Sequence, residues 1–279
     1  MERLNPLNDF LFLKLMGEEG DELQCLAFLN AVLNSKNKTP INVIKILENR
    51  SITAEIAGDK SCVLDVRVET DKGEKVNIEV QLKNLHNMEK RTVFYWGEEF
   101  RKGIGQGKDY IDLRKVININ IVNYDQIKLN DFHTCFHLWE DNHKDYLLTD
   151  VLEIHFLNMV KFRKSKTGDK EKNPLERWLT FFDKDSTEDE IKEVISMDAA
   201  ISTANDRLAY VSQDQDVRRI YEMREKALRD WTTGVNTAFE NGVNQNKIEV
   251  ATSLLHDGMT LDFIQKHTGL DIETIKSLN

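Results

Sequence analysis

Apolar and polar residues follow two different periods along the chain. Over 61–83 the period is two. SCVLDVRVE (61–69) puts Cys62, Leu64, Val66 and Val68 on one face. KVNIEVQLK (75–83) sets Val76, Ile78, Val80 and Leu82 against Lys75, Asn77, Glu79, Gln81 and Lys83 on the other. The join, Thr70-Asp71-Lys72-Gly73-Glu74, carries Asp and Gly, so the two segments predict a hairpin. Alternating Ile117, Ile119 and Ile121 predict a further strand over 115–124, and 134–139 and 151–162 read as two more. Elsewhere the spacing is three to four. Residues 9–16 and 21–34 predict helices, the second begun at Asp21, with Pro40 beyond its end. Residues 88–104, with Val93, Phe94, Tyr95, Trp96 and Phe100, predict another, ended by Gly103, Gly105 and Gly107. Phe94, Tyr95 and Trp96 are expected in a core or in a contact between copies.

The second half reads as helical throughout. Asn173 followed by Pro174 starts a helix, and 187–230, without Pro or Gly, favours long ones. Gly234 and Gly242 then mark a change of composition. The ending GMTLDFIQKHTGLDIETIKSLN predicts two short helices capped by Thr260 and Asp271, with Gly269 in the turn. The spacing is that of a helix-turn-helix. However, Asp271 and Glu273 at the start of its second helix suit docking or homo-oligomerisation better than a phosphate-lined groove. The expected architecture is α/β: a mixed sheet flanked by helices over 1–165, a helical lobe over 166–232 and a helical tail over 233–279.

Composition narrows the function classes. The 279 residues are 40% hydrophobic and 31% charged, an ordinary globular balance. No run approaches the roughly 18 apolar residues of a membrane span. Asn8, Asp9 and Lys14 interrupt the apolar N-terminus, which argues against a signal peptide. Cys25, Cys62 and Cys135 are far apart and form no CxxC, which fits a reducing cytoplasm and no structural zinc. The net charge of −10 excludes a generally basic coat for nucleic acid. It leaves room for a local groove, since 83–115 carries eight Lys/Arg against five Asp/Glu. His133, His137 and His143 read as structural histidines, because Cys135, Phe136 and Leu138 around them suit a strand.

One constellation carries chemistry. Asp65 interrupts an apolar run, and a carboxylate there needs a partner, a hydrogen bond or a metal. Across the hairpin it comes within reach of Glu79, with Gln81 on the same face. Two readings stand side by side: an oxygen site for Mg²⁺ or Mn²⁺, or the wet face of a half-buried sheet.

The segments NPLNDFLFLKLMG (5–17), FLNAVLN (28–34), VLDVRVETDKGEKVNIEVQ (63–81), RTVFYW (91–96) and KVININIVNY (115–124) together resemble the Rpn family. These are recombination-promoting nucleases, or transposases, of the PD-(D/E)XK nuclease superfamily. The resemblance implies a restriction-endonuclease-like core and a metal-dependent DNA endonuclease, cytoplasmic and bacterial, acting in recombination, mobile-element or phage-defence processes. It places the core acid at Asp65, the second acid at Glu79, and Gln81 where many relatives carry Lys. Asp65, Glu79 and the Val80 carbonyl would hold Mg²⁺ (Mn²⁺ as a substitute), with Asp9 of the first helix joining them. Lys90 and Arg91, in the basic run just downstream, are the first candidates for the DNA backbone, beside the plain reading of helix surface, and Lys83 reads as a solvated lysine rather than a stand-in for the missing charge. The alternative from another class is a catalytically idle member that binds DNA or a protein.

Overall fold

The computed structural model describes residues 3–33, 39–47, 65–104, 109–165, 170–171 and 173–278. Residues 61–64 of the first predicted strand, with Cys62, and the glycines Gly105 and Gly107 lie outside them. The chain divides into two compact units, residues 1–225 and 226–279.

The first unit is built on a six-stranded mixed sheet. Its strands are β1 (Ile44–Ile46), β2 (Val66–Thr70), β3 (Lys75–Gln81), β4 (Val116–Val122), β5 (His133–Trp139) and β6 (Leu147–Asn158). The spatial order is β1-β2-β3-β4-β6-β5. β3, β4 and β6 are parallel neighbours, while β1–β2, β2–β3 and β5–β6 are antiparallel. The β2–β3 hairpin forms as its pattern predicts. Gly73 takes φ +74° in the turn, and Thr70 and Glu74 close it with a 2.9 Å backbone hydrogen bond. A side chain at Gly73 would be forced into that left-handed conformation.

Helices cover both faces at the centre of the sheet, while β5 stays largely exposed. Val66, Val68, Val76, Ile78, Ile117, Ile119 and Ile121 pack into the main core with helices α1 (Asp9–Met16) and α2 (Glu22–Leu33). On the opposite face lies α3 (Met88–Lys102). There Met88, Val122, Leu152, Ile154 and Phe156 form a smaller core, joined by Trp96 and Tyr124. Every residue of β4 is therefore buried, as expected of a central parallel strand. Phe94 is not part of either core and stands 62% exposed.

Helices α5 (Pro174–Phe182), α6 (Glu188–Met197) and α7 (Ala199–Val211) complete the main core. Trp178 and Phe182 meet Phe28 with ring centroids 5.8 and 5.3 Å apart, and Phe182 meets Phe12 at 5.4 Å. Asn173 caps α5 through Leu175 N and Glu176 N, with Pro174 in its first turn, as the sequence suggested.

Three features depart from the sequence pattern. β1 was not anticipated, because three residues give no measurable alternation. The expected strand over 151–162 begins earlier and ends at Asn158, whose side chain accepts from Lys161 N and opens helix α4 (Met159–Ser165). The apolar run simply continues from strand into helix, which hides the boundary. Finally, α8 (Gln215–His256) runs without a break through Gly234 and Gly242. Each glycine costs a helix about 1 kcal/mol, too little to end one that has no proline or stop signal there.

In the second unit, α9 (Leu261–Thr268) and α10 (Ile272–Lys276) form with Thr260 and Asp271 as caps and Gly269 at φ +72°. Ala251, Ile264 and Ile275 are its buried centre.

Trp178→Ala should lower the unfolding free energy by roughly 3–5 kcal/mol, whereas Phe94→Ala should shift it by no more than about 0.5 kcal/mol. Urea unfolding followed by circular dichroism measures both.

Candidate active site

The hairpin register creates the site. Val66 lies opposite Ile78, so Asp65, one step earlier, faces Glu79 one step later. Period two then puts Asp65, Asn77, Glu79 and Gln81 on the face turned toward α3. That face is only partly wet, with Asp65, Asn77 and Gln81 half-buried. Glu79 is only 1% exposed, and Asn118 and Asn120 beside it are buried. Thr92 of α3 ties the two asparagines down. Its carbonyl accepts from Asn118 Nδ2 at 2.9 Å, and its hydroxyl oxygen accepts from Asn120 Nδ2 at 3.1 Å.

The two acids are poorly supplied with donors. Asp65 Oδ2 accepts a long 3.4 Å bond from Asn77 Nδ2, and the buried Oδ1 accepts none. Glu79 Oε1 lies 2.8 Å from Arg91 Nη2. The pair attracts by charge, but its angles do not make a hydrogen bond for either atom. Burial lifts the carboxyl of Asp65 to about 6; the bond from Asn77 and the charges of Arg91 and Arg67 oppose this. Burial, reinforced by the Asp65 charge and opposed by Arg91, lifts Glu79 further, to about 8. Desolvation is the larger cause in each case, and like-charge repulsion adds to it.

Asp9 reaches the same region from the first turn of α1, behind the N-cap Asn8. Its carboxylate accepts from Phe10 N at 2.9 Å and pairs with Arg224 of α8. Burial raises its pKa, while Arg224, the Phe10 amide and the charge of Lys83 hold it back. Asp9 in turn raises Asp65, so the three acids share one electrostatic field.

The other predicted positions divide. Gln81 donates from Nε2 to the Lys83 carbonyl at 3.1 Å. Val80 turns its side chain into the main core. Arg91 is not spread on the helix surface: it faces Glu79 and lies 5.4 Å from the ring centre of Tyr95. Lys90, its neighbour, is exposed.

Sequence reasoning missed Asn77, Tyr124 and Arg224. Asn77 was legible in principle, as the diagonal neighbour of Asp65 in the hairpin. Tyr124, just past β4, has its hydroxyl pKa raised by burial and, less, by the Glu79 charge. Arg224 is 215 residues from Asp9 and no local signal links them.

The acids come from two paired strands and a helix, and two of them carry buried oxygens without donors. That donor set fits a hard divalent cation, which prefers carboxylate and carbonyl oxygens. A family model described as "PD-(D/E)XK nuclease family transposase" matches residues 6–238. Comparison with curated proteins and with solved structures finds no match. No helix among the described residues is long and apolar enough to cross a membrane. With most of its length inside one family model, and a mixed sheet flanked by helices to match, the chain belongs to the PD-(D/E)XK nuclease family of transposases.

Proposed function

We propose that this protein is a metal-dependent DNA endonuclease that hydrolyses phosphodiester bonds in the cytoplasm, in recombination, mobile-element or defence processes. Family membership supports a nuclease-like or transposase-associated activity. The observation that carries the finer reading is the pair of facing carboxylates, half-buried Asp65 and buried Glu79, whose buried Oδ1 and Oε1 lack hydrogen-bond donors.

Asp65, Glu79 and the Val80 carbonyl are the residues that would hold Mg²⁺ or Mn²⁺, with Asp9 close by. Bound there, the ion would supply a water of lowered pKa and neutralise charge on the scissile phosphate. The chain's own residues do the rest. Gln81, a neutral amide, orients the attacking water but brings no charge. Arg91 supplies charge instead: its guanidinium stands beside Glu79, where a phosphate oxygen would arrive. Asn118, Asn120 and Thr92 anchor α3 to the sheet and so fix Arg91 in position. Lys90 meets the DNA backbone farther out.

The second reading is an idle member of the fold that binds DNA or protein. The contact of Arg91 with Glu79 and the turn of Gln81 onto the Lys83 carbonyl favour it.

Cleavage of plasmid and single-stranded DNA in Mg²⁺, Mn²⁺, Ca²⁺ and EDTA separates the two. The enzyme should cut in Mg²⁺ or Mn²⁺ and stop in EDTA, and Glu79→Gln or Asp65→Asn should lower the rate by at least about 100-fold. Folded wild-type protein that cuts neither DNA, or Glu79→Gln cutting at the wild-type rate, favours the idle reading. Arg91→Ala should lower kcat by about 10- to 1000-fold, as for loss of a transition-state donor.

The raised carboxyls also predict a pH dependence. Glu79 rises from the usual 4.5 to about 8 and Asp65 from 3.8 to about 6. Between these limits the folded protein keeps protons that the unfolded chain has lost. Stability therefore falls as pH rises from about 4 toward 8, and levels off above. For metal-free protein the loss should be a few kcal/mol, roughly 5 °C or more in Tm. Glu79→Gln should remove most of that slope, and Mg²⁺ at pH 8 should restore part of the lost Tm. A flat profile in the wild type would show that the two acids ionise without cost.

A further inference from the structure

The opposite face of the same sheet carries a second convergence of ligand-type side chains. β5 and β6 pair antiparallel with Cys135 opposite His155. Period two puts Cys135 and His137 on one face of β5, and Glu153 and His155 on the matching face of β6. Glu153 and His155 are aligned with Ile117 and Ile119, which point away from α3. The cluster is therefore separated from Asp65 and Glu79 by the sheet itself.

Ligand atoms of Cys135, His137 and Glu153 all lie within 4.8 Å of one another. His137 Nε2 is 4.0 Å from Cys135 Sγ and 3.4 Å from Glu153 Oε2. In a tetrahedral zinc site with bonds of about 2.0–2.3 Å, ligand atoms stand about 3.2–3.7 Å apart. Only small side-chain shifts separate the observed spacing from that geometry. From these residues we infer a second metal site, for Zn²⁺ or a similar borderline-soft ion, formed by Cys135, His137 and Glu153.

Three further observations support it. A network built only for hydrogen bonding gains little from a thiol, which is a weak donor, whereas a thiolate is a preferred zinc ligand. The surroundings already hold the carboxylate in place: His155 Nε2 lies 2.8 Å from Glu153 Oε1, and His155 Nδ1 lies 2.9 Å from His133 Nε2. Outer partners of this kind orient metal ligands. Access is open as well, since Cys135 is exposed while Glu153 is fully buried behind it. Lys115 pairs with Glu153 and balances its charge before an ion arrives. The ion would tie β5, which among the described residues is an edge strand paired with β6, more firmly to its neighbour.

The test uses the full chain, reduced and stripped of metal, titrated with Co²⁺ and then Zn²⁺. One Co²⁺ per chain should bind with a thiolate-to-cobalt charge-transfer band, and Zn²⁺ should displace it and slow hydrogen exchange in β5. Cys135→Ser should abolish the band and weaken Zn²⁺ binding by at least about 100-fold; His137→Ala should weaken it likewise. Both positions are on an accessible strand, so the fold survives, as circular dichroism would verify. Glu79→Gln, on the other face, should leave the band intact. Absence of a thiolate band in the wild type, or Zn²⁺ binding unchanged in Cys135→Ser, overturns the proposal.

Discussion

Asp65 and Glu79 face each other across one strand pair, the first half-buried and the second buried, with too few donors to hold two negative charges. The rest of the first unit is arranged around that constraint. A buried carboxylate that cannot ionise freely must be paired, protonated or bound to a cation, and the first two are each met here in part. Arg91 offers a charge without a good hydrogen bond, and Asn77 offers a long one. Burial supplies the remainder by holding both carboxyls partly protonated. None of these resolves the strain as fully as a divalent ion would. The fold tolerates the cost because the opposite face of the hairpin buries Val66, Val68, Val76, Ile78 and Val80.

Much of this was legible in the sequence, because the side-chain period of a strand is an integer. Once the hairpin turn is fixed, Asp65, Glu79 and Gln81 are bound to one face, and no packing detail can move them. The helix caps were legible for a related reason: Asn173, Thr260 and Asp271 act on backbone amides two or three residues away. What could not be read was non-local. The choice between a wet and a covered face depended on where α3 would lie. That, in turn, depended on Thr92 meeting Asn118 and Asn120 some 26–28 residues on. Arg224 next to Asp9 is the extreme case.

The glycines teach a complementary lesson. Gly73 and Gly269 have positive φ and mark real turns, whereas Gly234 and Gly242 sit inside a continuous helix. Composition alone treats the four alike. The difference lies in their neighbours: Asp and Lys before Gly73 make a turn, and Gly269 follows the last turn of α9 just before the capping Asp271. No such partner flanks Gly234 or Gly242.

On the proposed function, charge placement has to explain how an acidic protein presents a site for a polyanion. At net charge −10 the chain as a whole repels DNA, so attraction has to be local. The cations nearest the acids, Arg91 and Arg224, are each drawn in by a carboxylate, which removes them from general surface attraction. They remain close to where charge would be needed. An arrangement of this kind favours a phosphate that arrives together with a divalent ion over one that arrives alone. Without the ion, Arg91 is held beside Glu79 and Arg224 beside Asp9; with it, those carboxylates have another partner and the guanidinium groups become available. On the proposed function, the same carboxylates set both metal affinity and DNA affinity.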